Sequence, residues 1–546
     1  MDNPVQILGP DGRAITPGRS KPSMLAGSGI SPYDAADIFD GRTAAWRPYL
    51  WSPDAQLNLY RDRIVSRVRD LVRNDGWAAG SVTRTLDNAI GANFRPIFKP
   101  DYRALAQISG NRAFDATWAE EFGRAVQSAW RRWANDPGRW CDAQRHLSIS
   151  QLMRLAFRHK LVDGDALAIL RWMPERMGEG RAQYATVLQL IDPDRLSNPY
   201  QQFDQQAFRG GVQVDEYGAA IGYWIRKAHI GDWWAAAQAM TWEYIPRETE
   251  WGRPIVVHDF EVERAGQHRG GAGILTPVVQ RLKMLVKYDA TELDAAIVNA
   301  IFASYIESPF DPELVQSALG DSAEINQYQQ LRSSFHDERK IMLGDARMPI
   351  LFPGERINTV NATRPAANFK DFESAVLRNV ASGMGLSAQQ VSNDWSDVNY
   401  SSARGALLEA WKTLARRREE FAQNFAQPVA AAWMEEAFDR EDFPLPANAP
   451  SFIEARAAYS RARWMGPGRG WIDPTKEKEG AILGMDAGLS TLENECAENA
   501  GEDYEDVLDQ RAREVKAFRE RGLEPPTWAN LGGMPSRQTV QDPEEE

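Results

Sequence analysis

From Ile274 to Ile306 apolar residues recur at steps of three and four: Leu275, Val278, Val279, Leu282, Leu285, Val286, Leu293, Ile297, Ile301 and Tyr305. That period suits a helix and no strand, whose side chains alternate between faces. At about 1.5 Å per residue the run predicts one helix close to 50 Å long, suited to a spoke or wall element rather than a globular core. Pro309 and Pro312 stop it. A second stripe follows at Phe369, Phe372, Val376, Leu377, Val380 and Met384, and Gly383, Gly385 and Leu386-Ser387 mark its end. A third, Leu407, Leu408, Trp411, Leu414, Phe421, Phe425, Val429 and Trp433, starts behind Ser401 or Ser402 as N-cap. Between the second and third lies a polar loop, Ser392 to Ser402. Between the first and second, Glu307 to Ala367 breaks into Pro, Gly and short bursts such as Met342-Leu343 and Ile350-Leu351-Phe352, which reads as a small inserted subdomain.

Upstream of these helices the patterns are mixed. Leu57, Tyr60, Ile64, Val68, Leu71 and Val72 are helically spaced, as are Trp118, Phe122, Val126, Trp130 and Trp133, then Leu152, Leu155 and Leu161 up to a turn signal at Asp163, Gly164 and Asp165. Tyr184 to Ile191, Ile221 to Ile230 and Pro254 to Val262 are β-branched or aromatic runs bounded by Gly, Asp and Pro, predicting strands. The fold class expected is α+β, mainly α-helical, with a mixed domain over about 41–265. Arg63 and Arg67 share a helix face and read as solvated, balanced by Asp62 and Asp70. Residues 1–40, rich in Gly, Pro and Ser, and 525–546, ending in an acidic cluster, carry no apolar period and are expected to be flexible tails.

With 546 residues, 43% hydrophobic and 25% charged, the chain can bury two or three cores. The mean hydropathy of −0.49 and the lack of a long apolar run argue against a membrane span. The first twenty residues lack the charged start and apolar stretch of a secretory signal, so a cytoplasmic chain with reduced Cys141 and Cys496 is expected. A net charge of −13 speaks against a tight phosphate binder. It permits a conduit, because each strong phosphate contact would oppose sliding.

Chemistry-bearing patterns are thin. Asp192 and Asp194 in IDPDR could pair as acids but read first as a strand end and turn. Trp233-Trp234 could stack sugars or bases, or pack beneath a sheet or at a subunit interface. The six histidines form no metal-binding spacing, and no GxSxG nucleophile elbow occurs. GGAG at 270–273 precedes a helix but lacks the Lys and Ser/Thr of a P-loop, so it reads as a flexible entry to the long helix. No catalytic residue, metal ligand or cofactor site is assigned, and an enzyme is not expected.

Six runs, in order, resemble the lambda-type phage portal family: RVRDLVRNDGWAAGSVTRTLDNAIGANF, IDPDRLSNP, RGGAGILTPVVQRLKMLVKYDATEL, FPGE, VNYSSARGALLEAW, and the segment opening WIDPTKEKEG. The resemblance spans about Arg42 to Leu523 and implies the portal fold, with wing, stem, clip and crown regions. It places the wing at 41–272, a stem helix at 273–306, the clip at 307–367, a second stem helix at 368–391, a channel loop at 392–402, a long helix behind it at 403–440 and wing or crown helices at 441–524. It further implies a homo-oligomeric, dodecameric ring at one capsid vertex, passing double-stranded DNA. Implied partners are the terminase large subunit, a head–tail connector and the major capsid or scaffold protein, with no membrane. The location implied is the virion, after assembly in the host cytoplasm. Asn393, Asp394, Trp395, Asp397, Asn399 and Tyr400 are then expected to line the narrowest passage. Arg416, Arg417 and Arg418, beside Glu419 and Glu420, are expected to pair across subunits or within the helix. The alternative is a helical scaffold or DNA-binding module without a closed ring.

Overall fold

A computed structural model describes residues 45–271, 273–301, 305–307, 330–331, 333–335, 340–343, 346–349, 356–358, 369–396, 398–471 and 473–524. The expected tails, Asp397 and most of 307–367 lie outside the described residues. The chain divides at Ser52. In the first unit Tyr49 stacks on Trp51 with ring centroids 5.5 Å apart, and everything below concerns the second.

This unit opens with helices α1 (Pro53–Leu57), α2 (Arg61–Asn74) and α3 (Gly76–Ala89). Val65, Val68, Leu71 and Val72 make the buried stripe of α2, and Asp75 ends it and caps α3 by accepting from the Ala78 amide at 2.8 Å. Strand β1 (Arg95–Phe98) and helix α4 (Tyr102–Ser109) lead to α5 (Ala116–Ala134), whose Trp118, Phe122, Val126, Trp130 and Trp133 are buried. Helix α6 (Ile149–Asp163) starts at a Ser148–Gln151 capping box and stops at Gly164, φ 89°.

The turn expected at Asp163–Asp165 is real but short, and β2 (Asp165–Trp172) follows it at once. All but its last two residues are buried, so β2 shows no alternation in sequence to betray it. It is the centre of an antiparallel sheet, between β3 (Thr186–Ile191) and β8 (Val256–Phe260), with Leu167 opposite Ile191 and Ile169 opposite Val256. A second sheet takes β4 (Phe208–Arg209), β5 (Val212–Val214), β6 (Ala220–Arg226) and β7 (Trp242–Pro246) in sequence order, with the short helix α7 (Ala236–Ala239) between the last two. A bridge from Leu196 to Ile225 joins the two, and Leu167, Ile169, Ile191, Tyr223, Ile225 and Ile245 form a core between them.

The long helix expected over 274–306 is shorter. A 3-10 turn at Thr276–Val278 carries Pro277, and α8 runs from Val279 to Ile301, about 35 Å. Tyr305–Glu307 is instead strand β9, paired antiparallel with β12 (Arg356–Asn358). The β-branched and aromatic side chains of this stretch suit a strand as well as a helix, and the pairing decides. Between them β10 (Lys340–Leu343) pairs with β11 (Ala346–Pro349).

Helix α9 (Phe369–Met384) buries Val376, Leu377, Val380 and Met384 as its stripe requires. Gly385, φ 71°, ends it, and a Cβ there would lie 2.8 Å from Thr413 Cγ2. The short helix α10 (Ala388–Ser392) follows behind a Ser387–Gln390 capping box. The third helix begins three residues earlier than expected: α11 is Tyr400–Phe421 and its N-cap is Asn399, whose Oδ1 accepts from the Ser402 amide at 2.9 Å, rather than Ser401 or Ser402. It continues through a π turn at Ala422–Ala426 into α12 (Gln427–Arg440). Pro428 has no amide to give the ladder, and the π turn, where Gln427 N–H reaches back five residues to the Ala422 carbonyl, takes up the mismatch. The three elements run end to end for about 60 Å.

At the centre of the main core stands fully buried Trp433 of α12, with Trp130 at 5.1 Å, Tyr184 at 5.5 Å and Trp133 stacked at 5.8 Å. Helix α13 (Arg456–Tyr459) precedes β13 (Ala462–Met465), which pairs with β1 across most of the sequence. Helices α14 (Pro474–Asp486), α15 (Leu492–Glu495) and α16 (Tyr504–Glu520) close the described chain. Among the described residues no helix is long and apolar enough to cross a membrane.

Candidate functional site

The polar segment between α10 and α11 is narrower than Ser392–Ser402, since Ser392 ends one helix and Tyr400 begins the next. Asn393 leaves α10 in the left-handed conformation, φ 56°, which asparagine tolerates. Asp394 Oδ1 then accepts from the Ser396 amide at 3.0 Å and its hydroxyl at 2.6 Å. Those two bonds hold the Asp394 carboxyl below the usual range and leave it ionised and exposed. Trp395 is 38% exposed, and Asn399 is occupied as the cap of α11. Asn393, Asp394, Trp395 and Asn399 thus share one short turn, and Tyr400 is the first residue of α11. No Lys or Arg occurs from Ser392 to Ser402.

Beneath this turn the backbone is fixed by arginines. Arg84 of α3 donates to the Val391 carbonyl at 3.1 Å, holding α10. Arg417, 8% exposed, donates to the Met384 carbonyl at 2.9 Å, at the last turn of α9. Burial draws the Arg417 pKa below the usual arginine range, with Glu261 opposing. Arg418 lies over the Trp411 ring at 4.9 Å and donates to the carbonyls of Ala89, Asn88 and Pro467, closing the C-terminus of α3. Its pKa is pushed down to about 10 by burial. Arg416 is half-exposed and bonds Glu420 within the helix at 2.7 Å and Glu261 at 3.2 Å.

Arg63 and Arg67 of α2 are exposed, whereas Arg61 on the same helix is buried and Arg69 half-buried. Fully buried Asp165 accepts from Arg61 Nη2 at 3.1 Å, Arg269 Nε at 2.9 Å and the Gly270 amide at 2.7 Å, and contacts His258 Nε2 at 3.0 Å. Burial alone would raise its pKa, but the Arg269 and Arg61 guanidiniums and His258 hold it far below the carboxylate range. Arg69 binds Asp163 at 2.7 Å, Asp194 at 2.6 Å and Asp192 at 3.1 Å. Asp192, Asp194 and His229 come close enough together to suggest a metal site, but the Arg69 guanidinium already supplies the cation. Asp192 also caps the 3-10 turn Pro193–Arg195, so IDPDR is the turn its sequence suggests. The signal for this network lay in the buried stripe of α2, which includes Arg61 beside Val65 and Val68.

Gly270 and Gly273 do not serve as flexible entries to the helix. A Cβ on Gly270 would lie 1.9 Å from the Gly164 carbonyl oxygen and one on Gly273 2.2 Å from that of Leu161. These glycines let two backbones meet where α6 ends, which no sequence spacing announces.

The site is thus a polar turn without cations, held on a base that arginines fix through backbone carbonyls. The chain belongs to the lambda family of phage portal proteins, whose family model matches residues 39–418. It is 33% identical to the portal protein of Escherichia phage N15, over 96% of this chain and 95% of that one. To portal protein B of Escherichia phage lambda it is 32% identical, over 96% and 94%. A chain of the virion of a native gene transfer agent superposes with a TM-score of 0.36 at 15% identity, covering 76% of this chain and 97% of that one, too loosely to add to the argument.

Proposed function

We propose that the chain is one of about twelve subunits of a closed ring at a capsid vertex, around a channel that passes double-stranded DNA into and out of the capsid. In this reading 41–272 form the wing, 273–306 and 368–391 the stem, 307–367 the clip, 392–402 the channel loop, 403–440 the helix behind it, and 441–524 wing and crown. The clip docks the terminase large subunit and, after packaging, a head–tail connector binds the ring. The capsid or its scaffold surrounds it, in the host cytoplasm first and then in the virion. The ring performs no chemistry of its own.

One observation carries this reading: a short polar turn without a single Lys or Arg, borne between the short α10 and the long α11, with Arg84 holding α10 and Arg417 the end of α9 beneath it. Asn393, Asp394, Trp395, Asp397, Asn399 and Tyr400 then meet DNA by steric contact and carboxylate repulsion, without counterion-release affinity to retard it. Of the three arginines, Arg416 is the candidate for pairing across subunits, since it is exposed and its in-chain partners Glu420 and Glu261 are partly exposed too, whereas Arg417 is buried and Arg418 is held by three carbonyls. The test is deletion of 393–398, which spares the Asn399 cap. Rings of about twelve times 61.3 kDa should still form by native mass spectrometry, while particles package or retain less DNA. Loss of the rings would make the turn an assembly element, and unchanged DNA content would remove it from the channel.

A further inference from the structure

Apart from the loop, the most unusual surface lies on the second sheet. The excursion Lys227–Thr241 between β6 and β7 closes through the Lys227 amide and the Thr241 carbonyl at 3.0 Å and displays Trp233 and Trp234, 82% and 70% exposed. The neighbouring turn, Pro199–Asp204, displays Tyr200 and Phe203 at 78% and 80%. It takes its shape from two successive left-handed residues, Tyr200 at φ 54° and Gln201 at φ 56°. Non-glycine residues are strained there, and such strain gathers at binding surfaces. Phe203 and Ile230 from the two segments share a cavity of about 490 Å³ with Leu59, Ser197 and Arg226.

Arg226 sets the chemistry of this cavity. It is 5% exposed; Nε donates to Ser197 Oγ at 2.9 Å, Nη1 donates to the Ala239 carbonyl at 2.8 Å, and the guanidinium lies over the Trp242 ring at 4.5 Å. None of these partners is an anion. Among the described residues no carboxylate pairs with Arg226, and its Nη2 bonds to nothing. Burial draws its pKa below the arginine range, opposed by the charge of Asp62, an exposed carboxylate at the same cavity that makes no ion pair with Arg226. The other arginines of the cavity differ: Arg61 and Arg269 share Asp165. A buried cation without its anion is costly, and a bound carboxylate removes that cost through charge-assisted hydrogen bonds. Asp204 does not serve, because its oxygens are taken by Asn58, Asn198 and the Gly210 amide, each at 2.7 Å.

We propose that this cavity binds an acidic peptide segment of a partner protein, one carboxylate pairing with Arg226 and an adjoining apolar side chain resting on Phe203 and Ile230, with Trp233 and Trp234 at the rim. Aromatic anchors around a buried arginine are the composition of a binding hot spot. The inference goes beyond the conduit reading and does not depend on it.

The test is calorimetric titration of the full chain with the peptide Ac-Leu-Glu-Phe-Asp-Glu-Leu-NH2 and with its Gln/Asn counterpart. The acidic peptide should bind at least about tenfold more tightly than the neutral one, the weight of one charge-assisted pair. Phe203→Ala and Trp233→Ala, both at exposed positions, should weaken it several-fold with an unchanged melting temperature, and Arg226→Gln should abolish the preference for acid. If Arg226→Gln fails to fold, the two aromatic variants and the peptide pair still decide. Absence of binding, equal affinity for both peptides, or indifference to Phe203→Ala overturns the proposal. So does an oligothymidylate that binds through these residues when the peptide does not, or a loss of self-association in Phe203→Ala without peptide binding, which assigns the patch to a second copy of the chain.

Discussion

Helices α12 and α16 are similar in length, yet eight of the fourteen residues of α12 are buried and none of the seventeen of α16 is. Helix α12 is held by area: Trp433 and its alanines let Trp130, Trp133 and Tyr184 close around it. Helix α16 is held by charge, through Arg124 to Glu505 at 2.9 Å and Arg131 to Asp506 at 3.1 Å, over a cavity of about 830 Å³. Both partners of the second pair are about half-exposed, at 47% and 48%. Burial of apolar surface is not screened by salt, whereas such exposed pairs contribute about 0–1 kcal/mol each and are screened. One molecule therefore contains a scaffold and an appendage governed by different variables.

The largest expected effect tests the scaffold. Trp433→Ala should lower the unfolding free energy by about 3–5 kcal/mol, read from the urea midpoint, because four rings, those of Phe98, Trp130, Trp133 and Tyr184, lose their common partner. A loss below about 1 kcal/mol would show that the core can collapse around the gap.

A buried pair offers the intermediate case. His268 sits 2.7 Å from Asp54 and 2.9 Å from the Gly218 carbonyl, and the Asp54 hydrogen bond raises its pKa against the opposing effect of burial. A raised folded pKa means stability fully present below the unfolded value of about 6.5 and lost as pH rises through the folded value. Asp54, held low by His268 although burial raises it, works the other way and is lost as pH falls. Between about pH 6 and 9 the wild type should lose more melting temperature than His268→Asn. Parallel curves would remove His268 from the account.

The smallest effect concerns α16. Arg131→Glu should cost less than about 1 kcal/mol of global stability, yet raise amide exchange in 504–520 at low salt, and about 1 M NaCl should do the same to the wild type while leaving α12 protected. Equal protection of both helices at high salt would erase the distinction between them.

The helices were legible because their apolar stripes keep one period: the buried residues of α9 are the stripe read at Phe369–Met384, trimmed at its exposed start. Strands β3, β6 and β8 were legible from β-branched runs, but β2 was not, because a strand covered on both faces has no alternation. Ser401 and Ser402 are capping residues by type, but so is Asn399, and only the backbone chooses among them. Of the site, the polar turn could be seen in sequence as a gap between stripes. Its footing could not, because Arg417 to Met384 and Arg418 to Ala89 join residues far apart in the chain, and nothing local records which carbonyl an arginine will reach.

The π turn at Ala422–Ala426 also fixes a phase. One residue added to a helix turns everything beyond it by about 100°, so the face that α11 offers near the loop and the face that α12 offers to Trp130 are set independently on one continuous rod. Removing a residue there would leave the rod straight but rotate Trp433 out of its cage or, if the cage prevailed, swing the loop end to a new heading. The turn acts as a spline between two cranks, and the angle at which the loop is presented is stored some twenty residues from the loop itself.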